Sequence, residues 1–306
     1  MENSDRITLV TVCDNHYLIL LAALVKSIEK NHVSSEYIDL YVVEDGVSDK
    51  NKLKLEKSIA SPLIKIEWKK MGDAIPTSFQ LPTDKSTYPI NIYIRVFIPY
   101  FIPAAVKKAL YLDVDMIMLA DIAKLWKHDI HPFPVAAVQD PRIKTVDNSW
   151  GGIKNYKELG LDPKTAFFNS GLMILDTQKW RKDNIAQKVI DCLQNNKKYL
   201  NYPDQYVLNV VLANNWLRLD PLWNHFADLD SQQAEPFLIH YIERKPIYKS
   251  YANDKKYQDL FFYYLNFTEW KDTQMIGELS RLFKKMKNVV SKIKINLGVI
   301  AGAGGG

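Results

Sequence analysis

The stretch that most constrains this chain is residues 109–119, ALYLDVDMIML, in which two apolar runs flank Asp113-Val114-Asp115. Val, Leu, Ile and Tyr in so short a block predict a strand covered on both faces. Carboxylates where such a strand ends are costly unless a cation or polar ligand meets them. In extended backbone, residues two apart project to the same side, so both acids are expected to face one spot. That arrangement suits a hard divalent ion that itself carries a phosphate.

Upstream, apolar runs at 7–14, 38–46 and 63–70 alternate with helical patterns at 18–30 and 48–59. This β-α-β-α-β order predicts an α/β fold with parallel strands, right-handed crossovers and flanking helices. Ligands in such sheets sit beyond the carboxyl ends of strands. Asp14 and the Asp113/Asp115 pair both lie at such ends, which places them in one expected cleft.

Downstream, residues 71–89 are irregular and carry Pro76, Pro82 and Pro89. Residues 90–103 predict a helix stopped near Pro99, with Arg95 inside it needing an anionic partner. A short helix is expected at 121–126, and a strand at 134–140 ends in Asp140. A long polar segment containing Trp150-Gly151-Gly152 occupies 141–166. The spacing then predicts a strand over 166–176 entered through Asn169-Ser170-Gly171, and one continuous helix over 177–196. Tyr202-Pro203-Asp204-Gln205 opens the next helix, with Pro203 suited to its first turn and Asp204 to its N-terminus. A late strand and loop are expected at 215–224, and a short strand at 237–246 with His240 exposed near its end.

The body is charge-neutral. Residues 271–306 hold seven Lys/Arg against two Asp/Glu, which accounts for the whole net charge of +5, so residues 1–270 balance at 33 against 33. Nucleic-acid binding by the body therefore has no electrostatic support. No run approaches the roughly 18 apolar residues of a membrane span. The polar start at residues 1–6 predicts no secretion signal, and two cysteines, Cys13 and Cys192, predict a reducing, cytoplasmic setting. Nine aromatics between Tyr248 and Trp270 predict a segment strapped over the body. From about 274 a basic amphipathic helix is expected, suited to an anionic membrane face or to self-association, before a low-complexity AGAGGG end.

Asp113, Asp115 and His240 offer two carboxylates and an imidazole, a usable set for a divalent metal. Taken alone, Asp-x-Asp at a strand end and a single histidine are both common without any metal. His240-Tyr241 followed by Lys245-Pro246 shifts that balance.

With these motifs in order, the chain resembles glycosyltransferase family 8, the retaining family that includes bacterial lipopolysaccharide galactosyl- and glucosyltransferases and glycogenin. The resemblance runs from about residue 7 to 250. It rests on the opening strand with Asp14 and Tyr17, on Arg95, on YLDVDMI, on Phe168-Asn169-Ser170-Gly171, on Pro203-Asp204-Gln205 and on the His240–Pro246 segment. It implies a GT-A type fold with a central mixed, mainly parallel sheet over residues 1–250, and Mn2+ or Mg2+; residues 251–306, beyond the resemblance, are expected to form an attachment segment. It also implies UDP-glucose or UDP-galactose as donor and a saccharide or lipid-linked acceptor. By matched position, Asp14 and Tyr17 would contact the uracil with the Val12 backbone alongside. Asp113, Asp115 and His240 would bind metal. Arg95, Asn169, Asp204 and Asp113 would hold the donor, and Lys245 the diphosphate. Gln205 stands where the family's debated nucleophile or cation stabiliser sits. Asp140 would face the acceptor, a side on which the 141–166 segment is also expected from its length and polarity alone.

Two departures stand out. The family's His-Tyr-x-Gly-x-x-Lys-Pro is one residue shorter here and lacks the glycine, so Arg244 is expected to share the phosphate role of Lys245; His16 replaces an asparagine beside the base. Because an amide is a poor nucleophile, front-face attack is expected. A dehalogenase-type phosphatase would want threonine where Ile117 stands, and an inverting transferase would lack the Asn169-Ser170-Gly171 and Pro203-Asp204-Gln205 patterns. A non-catalytic sugar-nucleotide binder is the remaining alternative.

Overall fold

The computed structural model describes residues 6–79, 90–229 and 234–277. The basic segment 278–306 with most of its expected amphipathic helix, and Pro82 and Pro89 of the irregular stretch, lie outside the described residues. The first half of the fold runs β1 (Arg6–Asp14), α1 (Leu18–Asn31), β2 (Tyr37–Asp45), α2 (Asp49–Ser58), β3 (Ile64–Lys70) and α3 (Met71–Ala74). A 3-10 helix (Ile90–Phe97) leads into α4 (Ile98–Phe101), β4 (Lys108–Leu112), β5 (Met116–Met118), α5 (Ile122–Trp126) and β6 (Val135–Gln139). Then come β7 (Phe168–Asp176), α6 (Thr177–Lys182), α7 (Ile185–Asn195), α8 (Pro203–Val211), β8 (Leu217–Arg218), β9 (His225–Phe226), β10 (Leu238–His240) and α9 (Lys255–Leu265).

Seven strands form one mixed sheet in the order β3-β2-β1-β4-β7-β6-β8. Strands β1, β2, β3 and β4 are mutually parallel where they pair, and β7 runs antiparallel to both β4 and β6. The sheet is apolar on both faces because alternate residues feed two cores: Leu110 and Leu112 of β4 join one, Ala109 and Tyr111 the other. A second, three-stranded sheet, β5-β10-β9, caps the carboxyl end. The aromatic strap makes a third core, with Tyr257, Phe261, Tyr264 and Leu265 of α9 packed against Leu20 and Ala23 of α1. Ile276 then pairs with Tyr248 through a parallel bridge.

Four local expectations change. The 109–119 block is two strands in two sheets, broken by a bend at Asp113–Asp115, because the carboxylates leave the core at the sheet rim. Pro99 sits in the first turn of α4 and starts that helix rather than stopping one, since a first-turn N–H has no helical partner to lose. Residues 177–196 form two helices, separated where Asn184 takes a left-handed φ of 51°, a conformation that asparagine tolerates. His240 is buried, 2% exposed, because β10 pairs with β5 on one side and β9 on the other. No described helix is long and apolar enough to cross a membrane.

Candidate active site

The site forms where β1, β4, β7 and the start of α8 present their ends to the small sheet. Antiparallel pairing of β10 with β5 sets His240 opposite Met116, one residue beyond Asp115. The Tyr241 N–H also donates to the Asp115 carbonyl (2.9 Å). Asp113 is drawn towards β7, its N–H donating to the Gly171 carbonyl at 2.8 Å. Asp113, Asp115 and His240 each offer a ligand atom, all within 4.8 Å of one another. His240 Nε2 lies 3.3 Å from Asp115 Oδ1 and 4.0 Å from Asp113 Oδ2.

The two acids differ in their surroundings. Burial raises the Asp113 carboxyl above its usual range; Arg95 opposes this and the Asp115 charge adds to it. Burial acts the same way on Asp115, but the Lys245 ammonium, 2.6 Å from Oδ2, and His240 outweigh it and hold that carboxyl well below the usual range. Lys245 thus rests on an Asp115 oxygen as a local counter-cation.

Arg95 is buried, as its apolar surroundings in the sequence required, and its anionic partners are in the site. Its guanidinium donates to Asp113 Oδ1 (3.0 Å) and to the Ser170 carbonyl (2.8 Å), and pairs with Asp204 Oδ2 (3.3 Å). It also lies over the Tyr111 ring, whose hydroxyl donates to Asp113 Oδ1 at 2.6 Å. Asp204, beside the α8 N-terminus, accepts from the Ser170 hydroxyl (3.1 Å).

A network of amides fixes the orientation of the His240 ring. The Gly171 N–H can only donate, and it donates to Asn169 Oδ1 (3.0 Å); the Asp140 carboxylate accepts from Asn169 Nδ2 (3.2 Å). Asn224 must therefore turn its Nδ2 to Asn169 Oδ1 (2.9 Å), which leaves Asn224 Oδ1 facing His240 Nδ1 (2.9 Å). Nδ1 then donates to Asn224, and Nε2 is the nitrogen turned towards the acids, where a cation would meet it. Two hard oxygens with one imidazole, so oriented, fit a hard divalent cation.

Gln205 is held by the same network. Its Oε1 accepts from Asn169 Nδ2 (3.1 Å) and the Ser170 N–H (3.3 Å), and its Nε2 donates to Asp140 Oδ2 (3.1 Å). Asp140 is 3% exposed, and its other oxygen accepts the N–H groups of Arg142 and Ile143.

Two chambers meet at the acids. One, of about 280 Å³, is lined by Val12, Tyr17, Arg95, Asp113, Asp115 and Lys245. The other, of about 450 Å³, is walled by Asp140, Asn169, Asp204, Gln205 and His240, and shares Arg95, Asp113 and Asp115 with the first. Asp14 does not line either chamber; its Oδ1 accepts the N–H groups of His16 (2.9 Å) and Tyr17 (2.8 Å), and it borders an adjoining cavity with Tyr17. Arg244 lies over the Tyr248 ring, while Glu243, within the segment that lacks the glycine, pairs with Arg142. His16 Nε2 meets the Tyr248 hydroxyl at 3.0 Å.

Sequence reasoning gave no role to Asn224, Tyr111, Ser170 or Arg142. Asn224 carries no spacing signal, and its part follows only from strand pairing. Tyr111 stands two residues before Asp113, and the strand period is the signal that sets it on the same side.

The profile of Glycosyl transferase family 8 matches residues 8–246. General stress protein A of Bacillus subtilis (strain 168) is 27% identical over 289 residues, covering 88% of this chain and 96% of that protein. Glycosyltransferase GlyA of Streptococcus pneumoniae serotype 4 is 30% identical over 215 residues, 67% of this chain, and this chain spans 28% of its length. The galactosyltransferase LgtC, solved with donor and acceptor sugar analogs, shares the fold, with a TM-score of 0.69 at 20% identity, covering 86% of this chain and 96% of that one. A profile match over most of the length, on a sheet that carries the matched motifs to one rim, makes this chain a member of glycosyltransferase family 8.

Proposed function

We propose that this protein is a retaining hexosyltransferase that moves glucose or galactose from a UDP-sugar to a saccharide or lipid-linked saccharide acceptor, with Mn2+ held by Asp113, Asp115 and His240. The observation that carries the reading is the convergence of two acids and an oriented histidine at the junction of two chambers.

In this reading the smaller chamber takes the nucleotide, with Tyr17 and the Val12 backbone along the base and Asp14 holding the turn that carries Tyr17. Bound there, the metal would neutralise charge developing on the departing diphosphate. Lys245, which pairs with Asp115, would turn its ammonium to the diphosphate of a bound donor. Arg95, Asn169 and Asp204 hold the donor sugar. Asp140 backs the second chamber and orients Asn169 and Gln205 rather than binding acceptor through a free oxygen.

Gln205 is a positioning residue here. Both lone pairs of its Oε1 are engaged, which disfavours attack by that oxygen on the anomeric carbon. Front-face attack follows, with the leaving diphosphate taking the acceptor hydroxyl's proton. UDP release from a panel of UDP-sugars with Mn2+, then with EDTA, tests the reading. Metal-dependent release from UDP-glucose or UDP-galactose is expected; none from either sugar, or a product of inverted configuration, would sink it.

A further inference from the structure

We propose that Trp150, backed by Tyr202, is a stacking platform for a neutral pyranose of the acceptor; the proposal rests on the transferase reading above. Trp150 is 57% and Tyr202 44% exposed, and the two share the wall of a cavity with Asp204 and Gln205. Their ring centroids lie 5.8 Å apart at 49°. Such rings bury large apolar area on meeting a ligand, and the C–H face of a pyranose is a flat, apolar match for one.

The loop is built to hold the indole there. Asn148 Oδ1 accepts the N–H groups of Trp150 (3.0 Å) and Gly151 (3.1 Å). A Cβ at Gly151 would come 2.6 Å from Ile143 Cδ1 and 3.5 Å from Tyr202 Cε2, so the Gly151 backbone packs closely against Ile143 and beside Tyr202. Tyr202 is fixed in turn by the start of α8, where its carbonyl accepts the Tyr206 N–H at 2.7 Å. Trp150 is thereby locked to the same helix start that carries Asp204 and Gln205.

Charge selects the class of sugar. Arg142 is paired with Asp228 and Glu243, and Arg95 with Asp113 and Asp204. Among the described residues lining this chamber, neither arginine is left to attract an anionic sugar. The half-exposed Glu243 carboxylate instead offers an acceptor for hydroxyls and repels acids.

The test uses the full chain with UDP and Mn2+, and maltose and lactose as probes beside glucuronic acid and glucose 6-phosphate. Saturation-transfer NMR and calorimetry read sugar binding without turnover. Trp150→Ala should weaken binding of the neutral disaccharides about tenfold, and Trp150→Phe by no more than about threefold. UDP affinity should move less than about twofold, which a general collapse of the fold would not allow. Unchanged disaccharide affinity in Trp150→Ala, tighter binding of the charged sugars, or no binding of either disaccharide overturns the platform. Absence of UDP release from any UDP-sugar overturns the transferase reading and leaves the sugar-binding result to stand or fall separately.

Discussion

Replacing Gly171 by alanine inserts one methyl group where the site is tightest. The new Cβ would lie 2.5 Å from His240 Cε1, 2.8 Å from Asp113 Oδ2 and 3.0 Å from Asn169 Oδ1. Carbon atoms sit comfortably at about 3.5 Å, so the imidazole must withdraw by about 1 Å. It has little freedom to do so, because Asn224 holds Nδ1 and β10 is paired on both edges. Gly171 is not among the residues with a left-handed φ, so the whole effect comes from the clash. Overpacking of this kind costs about 1–3 kcal/mol. Misorienting a metal ligand costs about 10- to 100-fold in affinity. The assay is Mn2+ titration by calorimetry, with thermal unfolding in EDTA to separate the stability term. Gly171→Ala should bind Mn2+ at least about tenfold more weakly and unfold at lower temperature. Adding His240→Ala should relieve much of the stability cost, since the clashing ring is then gone. Wild-type Mn2+ affinity and an unchanged Tm in Gly171→Ala would refute the geometry on which the metal site rests.

Asn224→Ala removes the acceptor that keeps the His240 proton on Nδ1, so Mn2+ affinity should fall about 10- to 100-fold with the three ligands intact; unchanged affinity would discard the tautomer relay. Gln205→Ala should leave substantial transfer, and trapping a glycosyl adduct on any side chain would remove the front-face proposal. Asp121 predicts a pH effect away from the site. Burial acts to raise its carboxyl, but the Ser34 hydroxyl (2.6 Å), the Ala123 N–H (2.9 Å) and His32 (2.8 Å) outweigh it and bring it from 3.8 to about 2. A depressed folded-state value stabilises above the unfolded one, so about 2 kcal/mol is present above pH ~4 and is lost as pH falls through about 2. Urea midpoints of Asp121→Asn should be lower than wild type near neutrality and flatter across that window; an equal slope would contradict the assignment.

Regular elements were legible where the apolar period was long. Strands β1, β2 and β3 and helices α1 and α2 lie within a residue or two of their expected bounds. Proline and asparagine misled where their effect depends on position: Pro99 reads as a stop but serves as a start, and Asn184 breaks a pattern that is otherwise helical on both sides. The burial of His240 is not legible in the sequence because three residues of strand are too few to show pairing on both edges.

Residue type and order were enough to nominate candidate cation-binding groups, because two carboxylates in an apolar strand and a buried arginine are costly without partners wherever they fold. Which partners they find is another matter. The pairing of Met116–Met118 with Leu238–His240, and the chain of amides from Gly171 through Asn169 and Asn224 to the imidazole, join residues far apart along the chain. Hydrogen bonds depend on distance and direction in space, and sequence separation encodes neither; the folded sheet edges supply both.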